Sequence, residues 1–292
     1  MTAANPIGVF DSGVGGLSVL REIRRELPGE DLLYVADSGY APYGDKPGQL
    51  IEARSVAIIE FLVSQRAKAI VVACNTATAA AIETLRARFP LPIVAMEPAV
   101  KPAAASTRSG VIGVLATGST LASDNFVKLY TRFGADVNIL IQPCPGLVEQ
   151  VEAGDLSGGR TRALLEQYIL PLLERQADTI VLGCTHYPFL ATLIREIAGP
   201  SVAIIDPSAA IARELRRRLA DAGLLSLEAR AGTERFWSSA APDKAQPVIS
   251  QLWRAGIEVR SLPNAPLPMT AKHQVGKILH SHSISASLKT GK

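Results

Sequence analysis

The chain has 292 residues, 48% hydrophobic and 20% charged, with a formal net charge of +3 and a positive mean hydropathy. This excludes a disordered chain, and at roughly 100–200 residues per domain the length favours two domains, each with enough chain to bury a core. The charge is spread along the sequence, and its densest cluster, ELRRRLADAG (214–223), reads as the solvated face of a helix, so nothing points to a nucleic-acid partner.

The opening, IGVFDSGVGGLSVLREIRREL (7–27), is a short apolar strand, a Gly-rich turn and a helical pattern at Leu17, Leu20, Ile23 and Leu27. A second strand and loop follow in DLLYVADSG (31–39), then a helix near 50–66 and a strand over 69–73. Alternating βα units with continuously apolar strands argue for parallel sheets covered on both faces by helices. Apolar runs such as Ala69 to Ala73 are far below the ~20 residues of a membrane span. The N-terminus also lacks the charged-then-apolar pattern of a signal, so a cytoplasmic protein with no membrane partner is expected.

The middle of the chain repeats the opening. IGVLATG (112–118) follows IGVFDSG (7–13), and QADTIVLGC (176–184) follows RAKAIVVAC (66–74), at offsets that differ by only a few residues. Buried parallel strands resemble one another, but that alone does not put a cysteine at the end of both, one followed by Asn75 and Thr76 and the other by Thr185 and His186. The expectation is an α/β fold of two similar domains, pseudo-twofold related, with parallel-type sheets flanked by helices and an active site in the cleft between them. The carboxyl ends of such strands are where open α/β folds bind ligands.

The boundary falls in the Pro- and Ala-rich EPAVKPAAAST (97–107), and Asp206, Pro207 and Ser208 make a helix start. The first domain is therefore expected to span 1–97 plus 208–263 and the second 98–207. The stretch 264–292, poor in large apolar residues, is expected to be a disordered tail.

Cys74, Cys144 and Cys184 are too few for a disulfide framework, and with three of the four histidines in the tail no metal site is expected. Cys74 and Cys184 at equivalent strand ends suggest a two-base proton transfer, in which one thiolate removes a proton from carbon and the other thiol delivers one to the opposite face. Helices beginning just after Asn75 and Pro188 are expected to pull the thiols toward thiolate. Charge developing on a substrate carboxylate needs donors, for which Ser12, Thr76, Thr117, Thr120 and Thr185 are candidates. Asp11 shares that cleft edge, and His186 stands two positions from Cys184 as its acid–base partner.

Other readings stay open at this point. GVGGLS (13–18) approaches the dinucleotide fingerprint but has Ser18 at the third glycine position. A hydrolase or lyase could use Cys184 with His186 alone. A two-domain binding module without catalysis is a third class.

Taken in order, IGVFDSGVGGLSVL, YVADSGYAPYGDKP, VVACNTATA, IGVLATGST and VLGCTHYPFL resemble the motif set of glutamate racemases, within the cofactor-independent aspartate/glutamate racemase superfamily, over residues 7 to 263. The resemblance implies interconversion of L-glutamate and D-glutamate for peptidoglycan, with no cofactor, neither pyridoxal phosphate nor metal, and it leaves a homodimer open. It implies that Cys74 and Cys184 are the acid/base pair, working on the D- and L-enantiomer respectively and assisted by Asp11 and His186. Implied substrate contacts are Asp11, Ser12, Tyr43, Gly44, Asn75, Thr76, Thr117, Thr120, Thr185 and His186; Asp37 and Glu152 are further candidates for assisting the cysteines. Ser119 stands where the family commonly has glycine.

Overall fold

A computed structural model describes residues 1–123, 127–128, 131, 137–226 and 230–263; the segment 264–292, expected to be disordered, lies outside the described residues. The first sheet is built from β1 (Ile7–Asp11), β2 (Leu32–Ala36), β3 (Ala69–Val72) and β4 (Ile93–Ala95), connected through α1 (Leu17–Glu26), α2 (Gly48–Ser64) and α3 (Asn75–Arg88). The second contains β5 (Val111–Ala116), β6 (Asn138–Pro143), β7 (Thr179–Leu182) and β8 (Ala203–Ile205). Its described helices are α4 (Val100–Ser106), α5 (Gly118–Leu121), α6 (Leu147–Glu152), α7 (Gly159–Glu174) and α8 (Ala191–Ala198). The chain continues through α9 (Ser208–Asp221), β9 (Glu234–Ser238), α10 (Pro242–Leu252) and β10 (Val259–Ser261).

All strand pairings among the described residues are parallel, in the orders β10-β9-β2-β1-β3-β4 and β6-β5-β7-β8. Every residue of β1, β2, β3 and β7 is buried, as expected for apolar runs with helices on both faces. The order β2-β1-β3-β4 recurs as β6-β5-β7-β8, so the repeat seen in sequence is also a repeat of topology. A backbone detail supports it. Arg66 and Gln176, aligned in the repeat, are the two non-glycine residues with positive φ among the described residues, at 66° and 65°.

Each of those residues ends a helix in the same way. Arg66 N–H donates to Val63 O and Ala67 N–H to Leu62 O, just as Gln176 N–H donates to Leu173 O and Ala177 N–H to Leu172 O. This is the Schellman arrangement, which satisfies the last carbonyls and turns the chain into the next strand.

The far end of the chain completes the first sheet, because β9 pairs with β2, setting Phe236 beside Tyr34, and β10 pairs with β9. Apolar residues of α9, including Ile211, Leu215 and Leu219, are buried where that helix packs on α1. At about 1.5–3 kcal/mol per buried large apolar side chain, that contact holds the returning segment in place. One apolar cluster runs through both halves, from Ile7 and Val71 to Leu115 and Ile180. No helix among the described residues is long and apolar enough to cross a membrane, and no group of three or more His, Cys, Asp or Glu among them could hold a metal.

Candidate active site

The first-half site residues are arranged by the sheet register. Asp37 N–H donates to Asp11 O at 3.0 Å and Ala73 N–H to Phe10 O at 2.8 Å, which lines up the ends of β2, β1 and β3 and sets Asp11 beside the Cys74 segment. In the second half Gly183 N–H donates to Leu115 O at 2.7 Å, bringing the Cys184 segment beside Thr117. Both carboxyl edges meet at a cavity of about 10 Å³ walled by Cys74 and Cys184 together. That is near the least space a water needs.

Of the residues expected from sequence, Ser12, Tyr43, Gly44, Asn75, Thr76, Thr117, Thr185 and His186 line this cavity with the two thiols, and Pro42, Val148 and Gly183 join them. Asp11 and Thr120 stand behind the wall. Asp11 is fully buried and accepts from Gly13 N–H at 2.8 Å and from Thr185 Oγ1–H of the opposite half at 2.9 Å. Thr120 closes a triangle of hydroxyls with Thr76 and Thr117, whose sides are 2.9, 3.0 and 3.2 Å. Both amide atoms of Asn75 are buried with no protein partner, although buried polar groups are ordinarily paired. They are a donor and an acceptor held ready at the cavity.

The two thiols differ in their surroundings. Cys74 caps α3, its Sγ accepting from Ala77 N–H at 3.4 Å and bonding Ser12 Oγ at 3.5 Å. The helix N-terminus was expected to favour thiolate, but burial first, and then the nearby Asp11 carboxylate, pushes the Cys74 thiol up to about 12. The expectation for Cys184 also changes, because a 3-10 turn over Tyr187–Leu190 precedes α8. Its partner is instead His186, with Nδ1 at 3.7 Å from Sγ.

His186 Nε2 lies 2.7 Å from Glu152 Oε1. Burial opposes a charge on this imidazole, but the bonds to Cys184 and Glu152 outweigh it and hold the ring well above the usual histidine range. A charged imidazole donates at both nitrogens, to Glu152 Oε1 and toward the Cys184 sulfur. Glu152 also accepts from Val14 N–H at 2.7 Å and Ser38 Oγ–H at 2.9 Å of the first half. Sequence reasoning left it among the further candidates, but it is the hub of this side of the cleft. The local signal was a carboxylate at the last residue of a helix, where the dipole disfavours it.

The glycines of DSGVGG serve close approach. A Cβ on Gly13 would lie 1.8 Å from Glu152 Oε1, one on Gly15 2.3 Å from His186 Nδ1, and one on Gly16 2.6 Å from Asp11 Cβ. Gly13 and Gly15 let the second half reach in over β1, and Gly16 lets α1 start close against Asp11 and Tyr34, which accounts for the motif without a dinucleotide. Cys144 takes no part, since its Sγ turns to Gln142 O at 3.3 Å.

The model of the Asp/Glu/Hydantoin racemase family matches residues 7–215. A glutamate racemase of Methylococcus capsulatus is 57% identical over 259 residues, covering 89% of this chain and 96% of its own. The Francisella tularensis glutamate racemase, solved in complex with D-glutamate, superposes with a TM-score of 0.76 at 27% identity over 89% of this chain and 98% of that one. The Escherichia coli glutamate racemase, in complex with L-glutamate and the activator UDP-MurNAc-ala, gives 0.76 at 33% identity over 88% and 97%. With its fold and its sequence in agreement, the chain belongs to the Asp/Glu/Hydantoin racemase family, among the glutamate racemases.

Proposed function

We propose that this enzyme interconverts L-glutamate and D-glutamate by two-base proton transfer between Cys184 and Cys74, supplying D-glutamate for peptidoglycan in the cytoplasm. The observation that carries the mechanism is that both thiols line one small cavity beside the unpartnered Asn75 amide. In the direction from L to D, Cys184 as thiolate, paired with the His186 imidazolium, takes the α-proton. Cys74 as thiol delivers its proton to the opposite face. The enzyme is left with a Cys184 thiol and a Cys74 thiolate, the form that accepts the α-proton of D-glutamate in the reverse direction.

The thiolate left at Cys74 is met by the N–H of Ala77 and the hydroxyl of Ser12. Asp11, bonded to Ser12 Oγ at 3.4 Å, is raised by burial to about 6 and is suited to exchange a proton through that hydroxyl. Donors from Asn75, Thr76 and Thr117 stabilise the charge that develops on the substrate carboxylate, preorganised in a small site, while the Thr185 hydroxyl donates to Asp11 and orients it. The same division of strands supports residues 1–97 with 208–263 as one domain and 98–207 as the other.

A single-cysteine hydrolase or lyase accounts for the Cys184–His186 contact but gives Cys74 no task in the cavity. The test is incubation of the purified protein with L-glutamate in D₂O. Exchange of the α-hydrogen with loss of optical rotation is expected; a Cys74→Ala variant that still racemises fully ends the two-base mechanism.

A further inference from the structure

Pro42, Tyr43 and Gly44 line the cavity, yet the Tyr43 hydroxyl does not point into it. It donates to Asp37 Oδ2, and Asp37 is fully buried behind the wall. Arg54 on α2, also buried, grips the same carboxylate as a fork, Nη2 to Oδ1 at 2.6 Å and Nε to Oδ2 at 3.0 Å. Its guanidinium carbon lies 4.0 Å from the centre of the Tyr40 ring. Arg54 thus touches two residues, Asp37 and Tyr40, of the stretch that leads into the cavity wall, without lining the cavity.

A buried ion pair is a poor source of stability, because desolvation of both charges offsets their attraction and apolar replacements often do as well. A forked guanidinium–carboxylate contact does fix orientation. What it orients here is the tyrosine of the cavity wall and, next to it, Gly44. A Cβ on Gly44 would lie 3.0 Å from Thr117 Cβ, and its carbonyl accepts from Ser119 Oγ–H of the opposite half. The seam along which the cavity closes is therefore held from behind by Arg54.

Resting on the glutamate racemase reading, we infer that Arg54 is a positioning residue which, through Asp37 and Tyr43, sets the Pro42–Gly44 wall that closes on the substrate. The thiols' own hydrogen bonds go to Ser12, Ala77 and His186, outside this chain of contacts. Loosening the wall therefore weakens substrate binding more than it slows proton transfer.

Two variants test this. Arg54→Lys keeps the charge and loses the fork; Tyr43→Phe removes the hydroxyl and leaves the ion pair whole. Each is expected to raise KM for both enantiomers about fivefold with kcat changed less than about twofold, and the double variant to be no worse than the poorer single one. An unchanged KM in Tyr43→Phe, a fall in kcat at constant KM, or additive effects in the double variant would overturn the inference. If Arg54→Lys does not fold, Tyr43→Phe decides. If the wild type does not racemise, the functional reading fails separately, and glutamate protection of the thiols against iodoacetamide decides this inference: weaker protection in Tyr43→Phe supports it, and equal protection, or none in the wild type, overturns it.

Discussion

His186 is held between Cys184 and Glu152, with Nδ1 3.7 Å from the thiol sulfur and Nε2 2.7 Å from the carboxylate. The carboxylate belongs to the same half as the histidine, but its other contacts, Val14 N–H and Ser38 Oγ–H, belong to the opposite half. Glu152 thereby ties the imidazole to the opposite half. Glu152→Gln removes the counter-charge, so the imidazolium gives up its proton at lower pH. The kcat for L-glutamate is expected to fall about tenfold or more, and the alkaline limb of its pH profile to move to lower pH. A limb that stays in place would count against this role.

The enantiomers have equal free energy in water, so kcat/KM must be the same in both directions for any variant, and that ratio cannot separate the thiols. Isotope exchange can. Cys184→Ala is expected to exchange the α-hydrogen of D-glutamate in D₂O without inversion and to leave L-glutamate unlabelled. Cys74→Ala should do the reverse, with racemisation down by about 10²-fold or more in each. Labelling of both enantiomers by either variant would contradict the assignment.

A Cβ on Gly15 would lie 2.3 Å from His186 Nδ1 and 2.7 Å from Thr185 Oγ1. Gly15→Ala must move His186 away from Cys184. A displacement near 1 Å at a catalytic group costs on the order of 10²-fold in rate, and that loss is expected with far-UV circular dichroism like wild type. Near-normal activity would mean that the imidazole can work from another position.

Ser119 offers its hydroxyl to Gly44 O across the cleft. Ser119→Gly removes one bond of the closed state and leaves both thiols in place. KM for either enantiomer is expected to rise about three- to tenfold, the net weight of one hydrogen bond, with kcat undiminished. A drop in kcat alone would show that the contact does something other than hold the site shut.

Burial raises the Asp11 carboxyl from 3.8 to about 6, against the lowering effects of His186, Gly13 N–H and Thr185. The folded state therefore binds a proton between these values that the unfolded state has released. Its contribution to stability is fully present below about pH 4 and is lost as pH rises through 6. Asp11→Asn has no such titration, so its stability relative to wild type should improve from pH 4 to pH 8, by on the order of 3 kcal/mol. Urea unfolding at the two pH values measures it; a constant difference would refute it.

Local sequence determined the parallel strands, the internal repeat and the position of each thiol at a strand end. Those features are encoded by runs of apolar residues and short turns, and a residue following a buried parallel strand emerges at the ligand-binding edge whatever lies across from it. Tertiary structure alone decided that Glu152 charges His186, that Ser12 stands between Cys74 and Asp11, and that Arg54 reaches the cavity wall through Asp37. It also decided the state of Cys74. A helix N-terminus visible in the sequence favours thiolate, but burial opposes it more strongly, and burial depends on how far two segments more than a hundred residues apart close over one sulfur.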